Sequence, residues 1–343
     1  MSWQVIMDNS GTGLRGNPID IAVWGLLRGK RLRAAALLAA CAWPLGGCQP
    51  GTAGNGKEEA VAPHAAPELR EYMRQVEQWR ARRIENLRAA DGWLSYMGSG
   101  RLRPGRFSVG SGSANDIQLP GGPSRLGTLH LDRDGRAVLE GVSGSGATVN
   151  GRPLDRTELV AGIVAEREAT RVRLGAAEFY LVRTGKLTNW RYRDPDAPMR
   201  SRFRGVEHFP VDLRWRVVAD WQPFATPREV TLLTSIGTPL QAMVPGEAVF
   251  TVEGRTFRLQ PVVYEKDPEW FIPFVDRTSG KESYGGARYL FTAPARDGKL
   301  VLDFNRAENP PCALTPHVVC PIAPPSNRLD LAVTAGEKNY LPQ

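Results

Sequence analysis

Hydrophobic and polar positions change their period twice along this chain. From Pro67 onward, Leu69, Tyr72, Met73, Val76 and Trp79, then Ile84 and Leu87, recur at steps of three and four. That spacing lines one face of an α-helix. It predicts a helix over 67–91 whose apolar stripe packs on the chain's own sheets, with Arg80, Arg82 and Arg83 on a solvated opposite face. Beyond Gly92 the period falls to two. Phe107–Val109, Asp116–Leu119, Thr128–Leu131, Ala137–Glu140 and Glu178–Val182 alternate apolar and polar residues between Gly-rich turns. Short strands at such regular intervals predict a β-sandwich over 92–185.

Leu187 to Gly205 has no clear period and reads as an extended edge strand with alternating arginines, ending at Asp194-Pro195. From Phe209 the alternation returns in Val211–Val218, Glu229–Leu233, Ala248–Val252, Arg255–Leu259, Trp270–Phe274, Tyr289–Phe291 and Leu300–Phe304. Glu253-Gly254 and Asp297-Gly298 carry hairpin-turn chemistry, the second expected to join Tyr289–Phe291 to Leu300–Phe304. These features predict a second antiparallel sheet, closed or strongly curled, over 186–343, with none of the strand–helix alternation of α/β proteins. The expected fold class is therefore mainly β: an N-terminal helix, a β-sandwich, then a curled or barrel-like β-domain.

The N-terminus changes the picture of charge and compartment. Arg28, Lys30, Arg31 and Arg33 precede an apolar run, Ala34–Trp43, that ends in Leu45-Gly46-Gly47-Cys48. A basic region, a short apolar region and small residues before a cut are the parts of a secretory signal over 1–47. The run falls short of the roughly 20 apolar residues that span a bilayer. Leu45–Cys48 resembles the bacterial lipobox, which implies lipidation of Cys48 and a membrane anchor. Residues 1–29 exceed what a signal requires, so translation is expected to start at a later codon. Removal of five basic and two acidic residues lowers the net charge from +8 to +5, and a secreted chain of that charge needs no nucleic-acid partner. Residues 48–66, rich in Gly, Ala, Pro and Glu, read as a flexible tether. Gln49 is not the aspartate associated with inner-membrane retention, so an outer-membrane anchor facing the periplasm is expected. At 42% hydrophobic and 23% charged residues, the chain as a whole has ordinary globular composition.

After the signal is lost, Cys312 and Cys320 are the cysteines left beside Cys48. With seven residues between them in an oxidising compartment, they are expected to form a disulfide. A metal pair with His317 between them is the alternative, but it lacks an evident fourth ligand, and no metal or other cofactor is expected. Nor do His64, His130, His208 and His317 fall into any catalytic motif. A nucleophile elbow, a zinc-protease helix motif, a Walker loop and a dinucleotide fingerprint are all missing.

Two family resemblances emerge. Phe107–Gly110, Asn115–Ile117, Pro123–Arg125, Thr148–Gly151 and Arg173–Gly175 resemble, in order and spacing, a degenerate forkhead-associated module. Ser111 and Gly127 stand where that family has its phosphate-binding arginine and its histidine, so phosphopeptide reading is not implied. From about residue 68 to 340, and above all in Trp270–Lys338, the chain resembles DUF1684, a bacterial family of unknown function. The resemblance implies a polar site at Asp276, Tyr284, Arg288, Asp303, Asn305, Asn309, Asn327, Glu337 and Lys338. Asp276 and Asp303 suit a glycosidase pair if about 5–10 Å apart, or Ca²⁺ binding with Asn305 and Asn309. Arg288 suits a carboxylate or phosphate. Equally, Asp276–Arg288 is an ion pair and the Asp and Asn residues cap turns. The preferred expectation is a lipid-anchored envelope module that binds a glycan, lipid or protein. An envelope hydrolase and a purely structural protein are the alternatives.

Overall fold

The computed structural model describes residues 65–163, 169–263 and 268–341. The secretory signal, Cys48 and the tether up to residue 64 lie outside them. Helix α1 (Ala65–Arg88) covers most of the predicted span, and Tyr72, Val76 and Leu87 of its stripe are buried. The solvated polar face is corrected at two positions: Arg83 is only 8% exposed, and the Arg80 side chain is largely covered and donates to the Phe209 carbonyl at 2.9 Å. Steps of seven and four place residues 76, 83 and 87 on one helical face, so Arg83 lies in line with Val76 and Leu87. Leu87 packs with Leu94, Phe203, Val206 and Leu314.

The strands that follow are β1 (Tyr96–Leu102), β2 (Gly105–Gly110), β3 (Ile117–Gln118), β4 (Gly127–Leu131), β5 (Ala137–Gly141), β6 (Thr148–Val149) and β7 (Arg152–Pro153). Then come β8 (Arg156–Glu158), β9 (Gly162–Ile163), β10 (Val172–Leu174), β11 (Ala177–Thr184) and β12 (Leu187–Arg193). They form two sheets, one ordered β1-β12-β11-β10-β6-β7 with β9 beside β11, the other β3-β2-β4-β5-β8. Val109, Leu129 and Leu139 from one sheet and Val172, Phe179 and Leu181 from the other share a single core.

Two features here differ from the sequence expectation. Strand β12 is no exposed edge, for it lies between β1 and β11. Arg191 is buried against Tyr180 and Tyr96, and Arg193 pairs with Glu178 at 2.8 Å. Strand β1 has no apolar alternation because its glycines make room for a ring: a Cβ on Gly100 would stand 2.4 Å from Trp190 Nε1 and one on Gly98 2.9 Å from Trp190 Cζ3. A small-residue strand under a large ring is invisible to a hydrophobic-period reading.

Residues 198–341 add helix α2 (Pro198–Arg202) at their start and a four-stranded sheet, β15-β14-β13-β18, that curls as a half-barrel. Its members are β13 (Arg216–Leu233), β14 (Pro239–Val252), β15 (Arg255–Leu259) and β18 (Lys299–Asp303). A separate ladder joins β16 (Trp270–Phe274) to β17 (Arg288–Thr292). Glu253-Gly254 and Asp297-Gly298 have positive φ at both positions, the twist that hairpin turns require. The second does not join the strands expected. Arg296 and Lys299 close a tight local turn, while β17 pairs with β16 and β18 with β13. The chain thus crosses from one ladder to the other before the turn. Both ladders face one core, in which Ile272, Phe274 and Leu290 meet Ala248, Phe250, Leu300 and Leu302. The C-terminal strip caps it with Phe304, Ala307, Leu329, Leu331, Val333 and Ala335. That strip carries most of the candidate residues.

Candidate functional site

Asp276 lies two residues beyond the end of β16, and Arg288 opens β17 opposite Phe274; the side chains of Asp276 and Arg288 are fully buried. Arg288 Nη2 lies 3.3 Å from Asp276 Oδ1 and donates to the Val333 carbonyl at 2.9 Å; Nη1 donates to the Ala335 carbonyl. The carboxylate also accepts from the Thr278 hydroxyl at 2.9 Å, the Ser279 hydroxyl at 3.1 Å, the Thr278 amide at 3.3 Å and the Val333 amide at 2.7 Å. These donors satisfy the carboxylate oxygens from within the protein. Burial pushes the Arg288 guanidinium below its ordinary value, with Asp276 opposing.

Glu337, Asn309 and Lys338 form a second group, one completed by the N-terminal helix. Glu337 is fully buried, its Oε1 accepting from Arg83 Nε at 3.1 Å and its Oε2 from the Asn309 amide at 2.6 Å. Arg83 also donates to the Asn309 carbonyl at 2.8 Å and stands 3.3 Å from Glu308 Oε1. One guanidinium therefore faces two carboxylates. Burial pushes the Glu308 carboxyl up to about 7; Arg83 opposes, while Glu337 and Glu269 push it further. Asn309 donates to the Lys338 carbonyl at 2.7 Å, and Lys338 Nζ reaches Glu207 at 3.7 Å. The ring of Phe209 links this group to the first, with Arg288 and Lys338 both placed over it. His208 packs here, its Nε2 buried without a partner, and burial pushes its pKa down.

Asp303 and Asn305 form a third group, again with α1. Tyr72 donates to Asp303 Oδ1 at 2.7 Å, Arg306 Nε lies 3.3 Å from Oδ2, and Asn305 donates to the Tyr72 oxygen at 2.9 Å. Asn305 also exchanges hydrogen bonds with the backbone of Asp212, accepting at 3.0 Å and donating at 2.8 Å. Asn327 does the same with Gln260 and donates to the Pro273 carbonyl, so its amide serves as a surrogate strand partner. Tyr284 stands apart, its hydroxyl 3.7 Å from Cys312 Sγ.

The expected disulfide is not present: Cys312 and Cys320 are both free thiols. They are nonetheless in contact, with the Cys312 amide donating to Cys320 Sγ at 3.2 Å. His317, from the loop between them, turns away to Ser99 at 3.1 Å. Among the described residues there is no cluster of His, Cys, Asp and Glu fit to hold a metal ion.

Among the described residues, Asp303, Asn305, Asn309, Asn327, Glu337 and Lys338 lie along one strip, and Asp276 and Arg288 are fastened to it at Val333 and Ala335. They lock turns, backbones and α1. A shallow polar depression of about 190 Å³ is lined by Asp134, Arg136, Glu158 and Arg183 and by none of the candidates. Sequence reasoning missed Arg83, Tyr72, Glu308 and His208 as members of the network. For Arg83 the signal existed, since its helical position coincides with the buried stripe. For Glu308 and His208 there was none.

Residues 201–338 match the model of a family described as a protein of unknown function, DUF1684. This part of the chain belongs to the DUF1684 family. Every candidate residue lies inside the DUF1684 span, whereas Tyr72 and Arg83, which complete two of the groups, lie outside it. No curated protein matches the chain. Among solved structures, an uncharacterized protein of Haloarcula marismortui, determined by solution NMR, is 33% identical over 40% of this chain and 78% of its own. Its TM-score is 0.35.

Proposed function

We propose that this chain is a lipid-anchored protein of the bacterial cell envelope whose β-rich body is a binding or assembly module. The basic and apolar run ending in Leu45–Cys48 supports the anchor, facing the periplasm from the outer membrane, and the 48–66 tether leads into α1. The observation that carries a non-catalytic role is the closure of Asp276. A glycosidase needs two carboxylates facing one substrate gap of about 5–10 Å, and Asp276 is enclosed by Arg288, Thr278, Ser279 and Val333. Around the β1–β2 turn, in contrast, Arg101, Arg103 and Arg106 are exposed. Unspent positive charge in that position favours an anionic glycan or lipid headgroup as ligand.

The test uses the full chain with Cys48→Ala. The variant is expected in the soluble periplasmic fraction, without the palmitate label the wild type carries. Continued sedimentation with membranes rejects the anchor. Binding to anionic vesicles and to isolated sacculi, compared with an Arg101→Ala/Arg103→Ala/Arg106→Ala variant, tests the ligand surface. Hydrolysis of an envelope glycan that disappears on Asp276→Asn, in a protein still folded, would reject the non-catalytic reading.

A further inference from the structure

We infer that Cys312 and Cys320 form a thiol–disulfide exchange site, in which partly exposed Cys312 attacks an external disulfide and buried Cys320 resolves the intermediate. The two thiols differ in the way such a division of labour requires. Cys312 sits in helix α3 (Pro311–Leu314) and is partly open to solvent. Cys320 is 1% exposed, packed with Phe271, Tyr289 and Ala323. Only the first can be reached by a substrate, and the second is close enough for the Cys312 amide to donate to its sulfur at 3.2 Å.

The surroundings bias the pair further. Hydrogen bonds from Cys320 and from the Tyr284 hydroxyl hold the Cys312 thiol below its ordinary value, favouring the nucleophilic thiolate, whereas burial pushes Cys320 well up. The backbone around Cys320 is fixed: its carbonyl accepts from the Ser235 amide at 2.7 Å, and Tyr289 donates to the Pro321 carbonyl at 2.8 Å. The resolving sulfur is therefore held in place while Cys312 reacts.

The substrate class is a small-molecule or protein disulfide. The Cys312 thiol gives up its proton and its sulfur attacks one sulfur of the disulfide. The substrate S–S bond breaks, and the first leaving thiolate departs with the bond pair and takes that proton. Cys320 then loses its proton and attacks Cys312 Sγ, expelling the second thiolate, which takes the proton. Two protein thiols are oxidised to one disulfide, and one external disulfide is reduced to two thiols. The closed loop contains His317, which bonds Ser99 of β1, so the oxidation state of the pair reaches the contact between the two β-regions. The inference does not depend on the lipid anchor, and its failure leaves the envelope reading intact.

Oxidised glutathione is the probe, applied to the reduced full chain with Cys41→Ser and Cys48→Ser, the background in which the wild-type Cys312–Cys320 pair and every variant are compared. The wild type should lose two hydrogens by mass and retain no glutathione. Cys320→Ala should retain one glutathione on Cys312, and Cys312→Ala should react at least about tenfold more slowly. Dithiothreitol under native conditions should return both thiols. Timed alkylation of reduced wild type with peptide mapping needs no variant and should label Cys312 first. Three results overturn the inference: thiols that persist in excess oxidised glutathione, labelling of Cys320 as fast as Cys312, or a bridge that opens only after the protein is unfolded. The last would make the pair a permanent staple.

Discussion

Arg288 and Arg83 are both buried guanidiniums facing carboxylates, yet they are balanced differently. Arg288 meets one carboxylate, Asp276, inside a shell of hydroxyls, amides and carbonyls that leaves little for water or a ligand to contribute. Arg83 meets two, Glu308 and Glu337, and only Glu337 has a second donor, the Asn309 amide. The first arrangement is a closed structural lock within the C-terminal region. The second joins α1 to that region and leaves one carboxylate in excess. A buried ion pair stabilises only when charge and hydrogen bonds are both matched; the Arg288 site is matched in charge although Arg288 Nε is buried without a partner, whereas the Arg83 site is unmatched in charge and responds to pH.

Removing Arg288 should have the largest effect. Arg288→Leu strands Asp276 as a buried charge, and urea denaturation should register a loss of about 3–5 kcal/mol. A loss near zero would mean that the hydrogen-bond shell alone holds the carboxylate. Arg83→Leu strands Glu337 in the same way, but Glu308 is relieved by protonation, so the loss should be smaller, about 2–4 kcal/mol. It should be accompanied by faster proteolysis of α1, because Arg83 is one of that helix's polar fastenings to the body.

Glu308 sharpens the contrast through pH. Its carboxyl titrates at about 7 in the folded protein against an ordinary 4.5. The folded state thus holds this proton more tightly than the unfolded chain. Stability from this group is complete below about pH 4.5 and falls as pH rises through 7. Wild type should lose on the order of 2–3 kcal/mol from this group between pH 4.5 and 8. Glu308→Gln should flatten that slope and be the more stable protein at pH 8. A parallel slope in the variant would assign the titration elsewhere. The smallest effect is expected of Tyr72→Phe, which removes the hydroxyl between Asp303 and Asn305; both keep other partners, Arg306 and Asp212. Thermal denaturation should show a loss of about 1 kcal/mol.

The expected β-elements were legible in position: β4 and β15 alternate in burial, while β5, β11 and β16 are buried in unbroken runs. Strand β1 was not, because Gly98 and Gly100 contribute space rather than side chains. The buried position of β12 was hidden by its arginines, which reach Glu178 and a pair of tyrosines supplied by distant strands. The Asp297-Gly298 turn was legible as a turn but not as a pairing, since a turn restricts four residues and leaves the choice of ladder to the core.

For the candidate site, residue types and positions along the strip were readable, and so was the Asp276–Arg288 pair as one of the alternatives. What those residues do was not. Whether a carboxylate faces a ligand or a neighbour depends on donors that arrive from far along the chain. Val333 reaches Asp276 across 57 residues, and Arg83 reaches Glu337 across 254.

By itself, the sequence determined the mainly β class, the amphipathic first helix, the type of each hairpin turn and the presence of a polar C-terminal strip. Each of these follows from local period, backbone preference or composition. Tertiary structure alone decided that the strip closes on itself and on α1, that one guanidinium serves two carboxylates, and that Cys312 is accessible while Cys320 is not. Burial and charge balance are sums over neighbours that meet only when the chain has folded.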